Sequence, residues 1–96
     1  MPVSLTPRER ARLKARAHVL EPVVHAGQSG LTDALVSEVD RALTAHELIK
    51  VKIGGADRHQ RAEIAADLCA RTDAAQVSQV GKVFVLWRPT PEDTPG

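Results

Sequence analysis

A chain of 96 residues has room for one domain, and its 43% hydrophobic and 26% charged content suits a folded core better than disorder. No apolar run approaches a membrane span, none follows the basic start as a secretory signal requires, and a lone cysteine, Cys69, excludes an internal disulfide or a cysteine zinc site. The net charge is only +1, yet Arg8, Arg10, Arg12, Lys14 and Arg16 are set against Glu9 alone in residues 1–16, while Glu92 and Asp93 make the end acidic. The chain reads as cytoplasmic, and Arg-rich, Ala-rich, Asn-free usage marks a GC-rich bacterial genome.

Thr6-Pro7-Arg8-Glu9 is a helix start, with Thr6 as N-cap, Pro7 at the first helical position and Glu9 closing a capping box. The helix is expected to run to about His18 on a narrow apolar stripe of Leu13, Ala17 and then Leu20. Arg8, Arg12 and Arg16 stack along one side of that stripe, Arg10 and Lys14 along the other. Pro22 to Ala26 reads as a short buried strand, ended by the loop Gly27-Gln28-Ser29-Gly30. Thr32 caps a second helix, roughly Asp33 to Ala45, with Leu35, Val36, Val39, Ala42 and Leu43 on one side.

Leu48 to Ile53 alternates as a strand does: Ile49, Val51 and Ile53 face one way, Leu48, Lys50 and Lys52 the other. After Gly54-Gly55 a third helix is expected from about Asp57 to Thr72, with Ala62, Ile64, Ala65, Leu68 and Cys69 inward. Gln76 to Val80 is a weaker strand, Gly81-Lys82 a tight turn, and Val83 to Trp87 a strong final strand stopped by Pro89. The order α-β-α-β-α-β-β implies an α/β fold: a four-stranded mixed sheet with packed helices, two parallel β-α-β units and a closing antiparallel hairpin. Residues 5–89 form the expected domain and residues 90–96 a flexible acidic tail.

Chemistry is scarce. His18, His25, His46 and His59 lie too far apart for a local chelating pair, and no nucleophile sits beside a base. His25, in a strand next to the glycine loop, could touch a ligand or be an ordinary strand histidine. Cys69 has the spacing of a helix core. Neither catalysis nor a metal, cofactor or small-molecule substrate is expected. The glycine loop lies between a strand end and a helix N-terminus, where backbone N–H groups can meet a phosphate, although such turns also use glycine for geometry alone. The first helix carries nearly unpaired arginines, whose planar forks suit phosphates; a merely solvated face is the plainer explanation. Lys50, Lys52 and Arg88 could extend that surface. Phe84 and Trp87 fall on opposite faces of one strand, so no aromatic base-stacking platform forms, and backbone or shape recognition of folded RNA is the better fit.

Leu31-Thr32 directly after Gly27–Gly30, His46-Glu47-Leu48-Ile49-Lys50-Val51-Lys52-Ile53, and Gly81-Lys82 leading to Leu86-Trp87-Arg88-Pro89 resemble the CRM domain (chloroplast RNA splicing and ribosome maturation). The single-domain layout is similar to its bacterial YhbY-type members. The resemblance implies a fold like the C-terminal domain of bacterial translation initiation factor three, and association with precursors of the large ribosomal subunit. It maps the family's GxxG loop onto Gly27, Gln28, Ser29 and Gly30, and its basic helix onto Arg8, Arg10, Arg12, Lys14 and Arg16. Because Gln28 and Ser29 are neutral, that loop would meet RNA through hydrogen bonds rather than charge. The expected protein is a monomeric, non-enzymatic binder of structured ribosomal RNA. The rival reading is a protein-interaction module docking through its basic first helix; a small hydrolase would require His25 beside a carboxylate.

Overall fold

Helix α1 (Pro7–Ala17) begins at a reciprocal cap: the Glu9 N–H donates to Thr6 Oγ1 at 3.1 Å, and the Thr6 N–H donates to Glu9 Oε1 at 3.0 Å. That backbone bond from Thr6 holds the Glu9 carboxyl below the usual carboxylate range. A computed structural model of the chain describes residues 5–27, 30–55 and 57–89. Gln28, Ser29 and the tail from residue 90 lie outside the described residues.

The remaining elements are β1 (Pro22–Ala26), α2 (Asp33–His46), β2 (Leu48–Ile53), α3 (Arg58–Thr72), β3 (Ala75–Val80) and β4 (Val83–Trp87). The caps that start α2 and α3 follow directly from residue type. Thr32 Oγ1 accepts the Leu35 N–H at 3.0 Å, and Asp57 Oδ1 accepts the Gln60 N–H at 2.8 Å. Both helices end on a non-glycine residue at positive φ, Glu47 at 65° and Asp73 at 60°, which reverses the chain into the next strand.

The sheet order is β1-β2-β4-β3, with β1 and β2 parallel and the other pairs antiparallel. The chain therefore crosses from β2 through α3 to the far edge and fills the gap with β4. Period-two alternation sorts the strands into two cores. Val24, Ile49, Val51, Ile53, Phe84 and Leu86 face α2 and α3, while Leu48, Val77, Val85 and Trp87 face α1 through Leu13 and Ala17. The opposite facing of Phe84 and Trp87 is as expected. The expectation for Ala62 is corrected: it is exposed, and Ala65, Leu68, Cys69 and Thr72 form the buried stripe of α3. Four inward positions over successive turns already anchor the helix, so a small side chain off the stripe gains nothing by burial.

One helix cannot cover four strands. Helix α1 lies over the end of the sheet where β2 begins and β4 finishes. At the other end the row His25–Lys52–Val83–Val80, in register across all four strands, keeps its outward side open. His25 and Lys52 are exposed there and Val80 is 72% exposed.

Candidate functional site

Only Leu13 and Ala17 of α1 are buried, so the helix leaves Arg8, Arg12, Lys14 and Arg16 on its solvent side. Arg10 differs. Its guanidinium Nη1 donates to the carbonyls of Gln76 at 2.6 Å and Val77 at 2.8 Å, where β3 carries an irregularity opposite Leu86 and Val85. A bulge leaves ladder carbonyls without strand partners, and Arg10 supplies the donor. The arginine row is thus divided between a group that pins the helix to the sheet edge and groups that reach solvent.

The glycine turn lies at the far end of β1. The Gly30 N–H donates to the Gly27 carbonyl at 3.3 Å, and Gly30 adopts φ +70°, a conformation other residues reach only at a cost. A Cβ at either glycine would meet no atom of the described residues within 4 Å, but Gly27 differs in that its φ is not in that region. Intramolecular geometry therefore does not require glycine at position 27. Two neighbouring turns join the same rim, since the Gly54 N–H donates to the Ala26 carbonyl at 2.9 Å and the Ile53 N–H to the Lys82 carbonyl at 2.8 Å. Helix α1 packs on Leu48 and on Val85, the register partner of Lys50, and the turn sits beside Ile53, three residues beyond Lys50, so about 10 Å of sheet separates the two. The face between them carries Val23, His25, Lys50 and Lys52.

The charged residues on that face are not equivalent. Lys52 is exposed, whereas Lys50 is half-buried and its Nζ donates to the Leu20 carbonyl at 3.0 Å, tying the connection between α1 and β1 to β2. Arg88 lies elsewhere: its guanidinium donates to Asp40 Oδ1, the Thr72 carbonyl, the Asp40 carbonyl and Thr44 Oγ1 at 2.7–3.1 Å. It locks α2 to the end of α3 and does not join the α1 face. Lys82, which the sequence marks only as a turn residue, is exposed on the rim. The α3 side of the glycine turn is a depression of about 340 Å³ lined by Gln60, Glu63, Ile64 and Asp67. The charged lining of that depression is two carboxylates, Glu63 within 3.5 Å of the His59 imidazole and Asp67, whereas Lys52 and Lys82 stand on the sheet side.

His25, the residue on which a hydrolytic site would depend, is exposed with Lys52 as its register partner. Cys69 is buried, and burial pushes its thiol up to about 11, away from nucleophilic use. Among the described residues no group of three or more His, Cys, Asp or Glu could hold a metal ion. The arrangement offers cations, open backbone and a half-covered sheet.

The CRS1 / YhbY (CRM) domain family matches residues 5–88, nearly the whole chain. The chain belongs to that family. It is 44% identical over 89 residues to an "RNA-binding protein" of Haemophilus influenzae, covering 93% of this chain and 90% of that one. It is 36% identical over 90 residues to a "probable RNA-binding protein" of Pseudomonas aeruginosa, covering 94% and 86%. The fold of this CRM domain matches the solution structure of a Staphylococcus aureus protein with a TM-score of 0.80 and 26% identity, over 91% of each chain.

Proposed function

We propose that this CRM domain is a non-catalytic, cytoplasmic RNA-binding protein that docks as a monomer on structured ribosomal RNA of large-subunit precursors. The observation that carries the reading is the exposure of Arg8, Arg12, Lys14 and Arg16 on a helix that buries only Leu13 and Ala17. Such a helix contributes little core, and its cations gain most when they neutralise phosphates and release counterions. The names of the H. influenzae and P. aeruginosa relatives support RNA as the partner. The glycine turn supports it independently, because a Cβ at Gly27 would meet no atom of the described residues within 4 Å, and a glycine there leaves the backbone open to close approach. The shape of A-form RNA and its phosphates would be read this way, without base-specific pairing.

The test is to crosslink the protein to RNA in cells and sequence what is attached. Enrichment of large-subunit precursor RNA is the expected result, and recovery of unrelated messages with no ribosomal enrichment contradicts it. The second reading, a protein-docking module, is favoured by Val19, 87% exposed, beside a groove of about 740 Å³ lined by Arg16, Leu20, Val23 and His46. Complexes that survive ribonuclease support that second reading.

A further inference from the structure

The end row of the sheet is unlike the rows beneath α1. His25, Lys52, Val83 and Val80 pair in register across β1, β2, β4 and β3, and all four project to the α1 side. Their neighbours Val24, Val51 and Phe84 point into the opposite core. No element covers this row among the described residues. His25 and Lys52 are exposed, Val83 is half-buried and Val80 is 72% exposed. The row also lies directly below the rim of turns: His25 is two residues before Gly27, Val83 follows Lys82, and Val80 precedes Gly81. Its charged groups are cationic, with Lys52 in the row and Lys82 at its end. The carboxylates near the glycine turn, Glu63 and Asp67, line the depression on the α3 side.

We propose that this uncovered row is a second RNA-contact element, a shelf on which a single-stranded segment lies between α1 and the glycine turn. The proposal rests on the RNA-binding reading above and adds a path to it. A polyanion meeting the glycine turn finds carboxylates on the α3 side and cations on the sheet side, and like-charge repulsion directs it to the sheet. Along β2, the part of the sheet under α1 and the turn stand about 10 Å apart, a span that two extended nucleotides cross. Lys52 and Lys82 neutralise phosphates along that path. The imidazole of His25 gives one flat face on which an unpaired base can stack, with Val83 and Val80 as an apolar floor beside it. Only one ring is present, so the shelf is tolerant of sequence: it holds a strand without reading it.

The experiment measures affinity of the full chain for a fluorescein-labelled RNA hairpin with a single-stranded overhang, as a function of salt. Four proteins are compared: wild type, Lys52→Gln/Lys82→Gln, Arg8→Gln/Arg12→Gln/Arg16→Gln, and Glu63→Gln/Asp67→Asn. Thermal unfolding confirms that each is folded. The lysine pair is expected to weaken binding about tenfold at low salt and to reduce the slope of log affinity against log salt by about 1.4, two single-strand phosphate contacts. The same pair should lose no affinity for a blunt hairpin that lacks the overhang. The Glu63/Asp67 variant should bind as tightly as wild type or more tightly. If the arginine variant loses binding while the lysine pair keeps wild-type affinity and slope, the shelf is overturned and the helix reading stands. If wild type binds neither hairpin, the RNA-binding reading itself falls and takes the shelf with it. His25→Ala, expected to weaken overhang binding about fivefold with an unchanged salt slope, separates stacking from charge.

Discussion

The Arg88 guanidinium stands 2.7 Å from Oδ1 of Asp40, with 48 positions of chain between them, and the same group reaches the carbonyl of Thr72 at 2.7 Å. One side chain at the end of β4 thus holds the last turns of α2 and α3 together. Its side chain is only 16% exposed, so the carbonyls it serves would lose their donor if it were cut back. Arg88→Ala should lower unfolding free energy by about 2–4 kcal/mol. Arg88→Lys should recover only part, because an ammonium cannot serve a carboxylate, two carbonyls and a hydroxyl from one fork. Urea unfolding measures both, and RNA affinity of the folded fraction should stay at the wild-type value.

Arg10 and Arg12 belong to the same helix but should behave oppositely. Arg10 caps two carbonyls of β3, so Arg10→Ala should cost about 1–3 kcal/mol of stability. Arg12 is exposed, so Arg12→Ala should change stability by less than about 0.5 kcal/mol. Its loss should instead weaken RNA binding and reduce the salt slope by about 0.7–0.9. Paired denaturation and salt-titration experiments on the two variants check the division.

The two described glycines of the turn are separable in the same way. Gly30 holds φ +70°, so Gly30→Ala should destabilise by about 1–2 kcal/mol. At Gly27 a Cβ meets no atom of the described residues within 4 Å and there is no positive φ to lose, so the fold should tolerate Gly27→Val. If RNA backbone approaches the turn closely, the same variant should still bind several-fold more weakly. Unchanged affinity in Gly27→Val would show that the turn is geometry alone.

Several of these features were legible in the sequence, and the reason is their range. The Thr6–Glu9 box, the Thr32 cap and the alternation of Leu48 to Ile53 depend on residues at most a few positions apart, where spacing alone fixes geometry. The facing of Phe84 against Trp87 follows from the same period. Strand order does not: both β-α-β units allow β3 to lie beside β2, and only the tertiary fold inserts β4 between them. Arg10 looks like a surface cation in sequence because its acceptors are carbonyls, which every residue carries and no pattern marks, and Arg88 does because Asp40 and Thr44 lie more than 40 positions away. Lys52 and Lys50 alternate identically, yet the connection that follows α1 reaches Lys50 through the Leu20 carbonyl, so a tertiary contact decides which one is open.

Cys69 gives a pH-dependent prediction. Burial raises its thiol from about 9 in the unfolded chain to about 11, so between those values the folded state holds a proton that the unfolded state has released. Stability should therefore be intact below pH 9 and fall between pH 9 and 11, and Cys69→Ala should flatten that part of the curve. At neutral pH the native thiol should resist iodoacetamide and react once urea unfolds the chain.

RNA contact is assigned to one surface, formed by the outer side of α1 and the sheet side of the glycine turn. Ultraviolet crosslinking of the full chain to RNA in cells, followed by mass spectrometry of the peptide–nucleotide adducts, tests it most directly. Adducts should concentrate in the peptides around Arg8 to Arg16 and around His25 to Gly30, with none at Glu63 or Asp67. Adducts confined to α3, or spread evenly over the chain, would contradict the account.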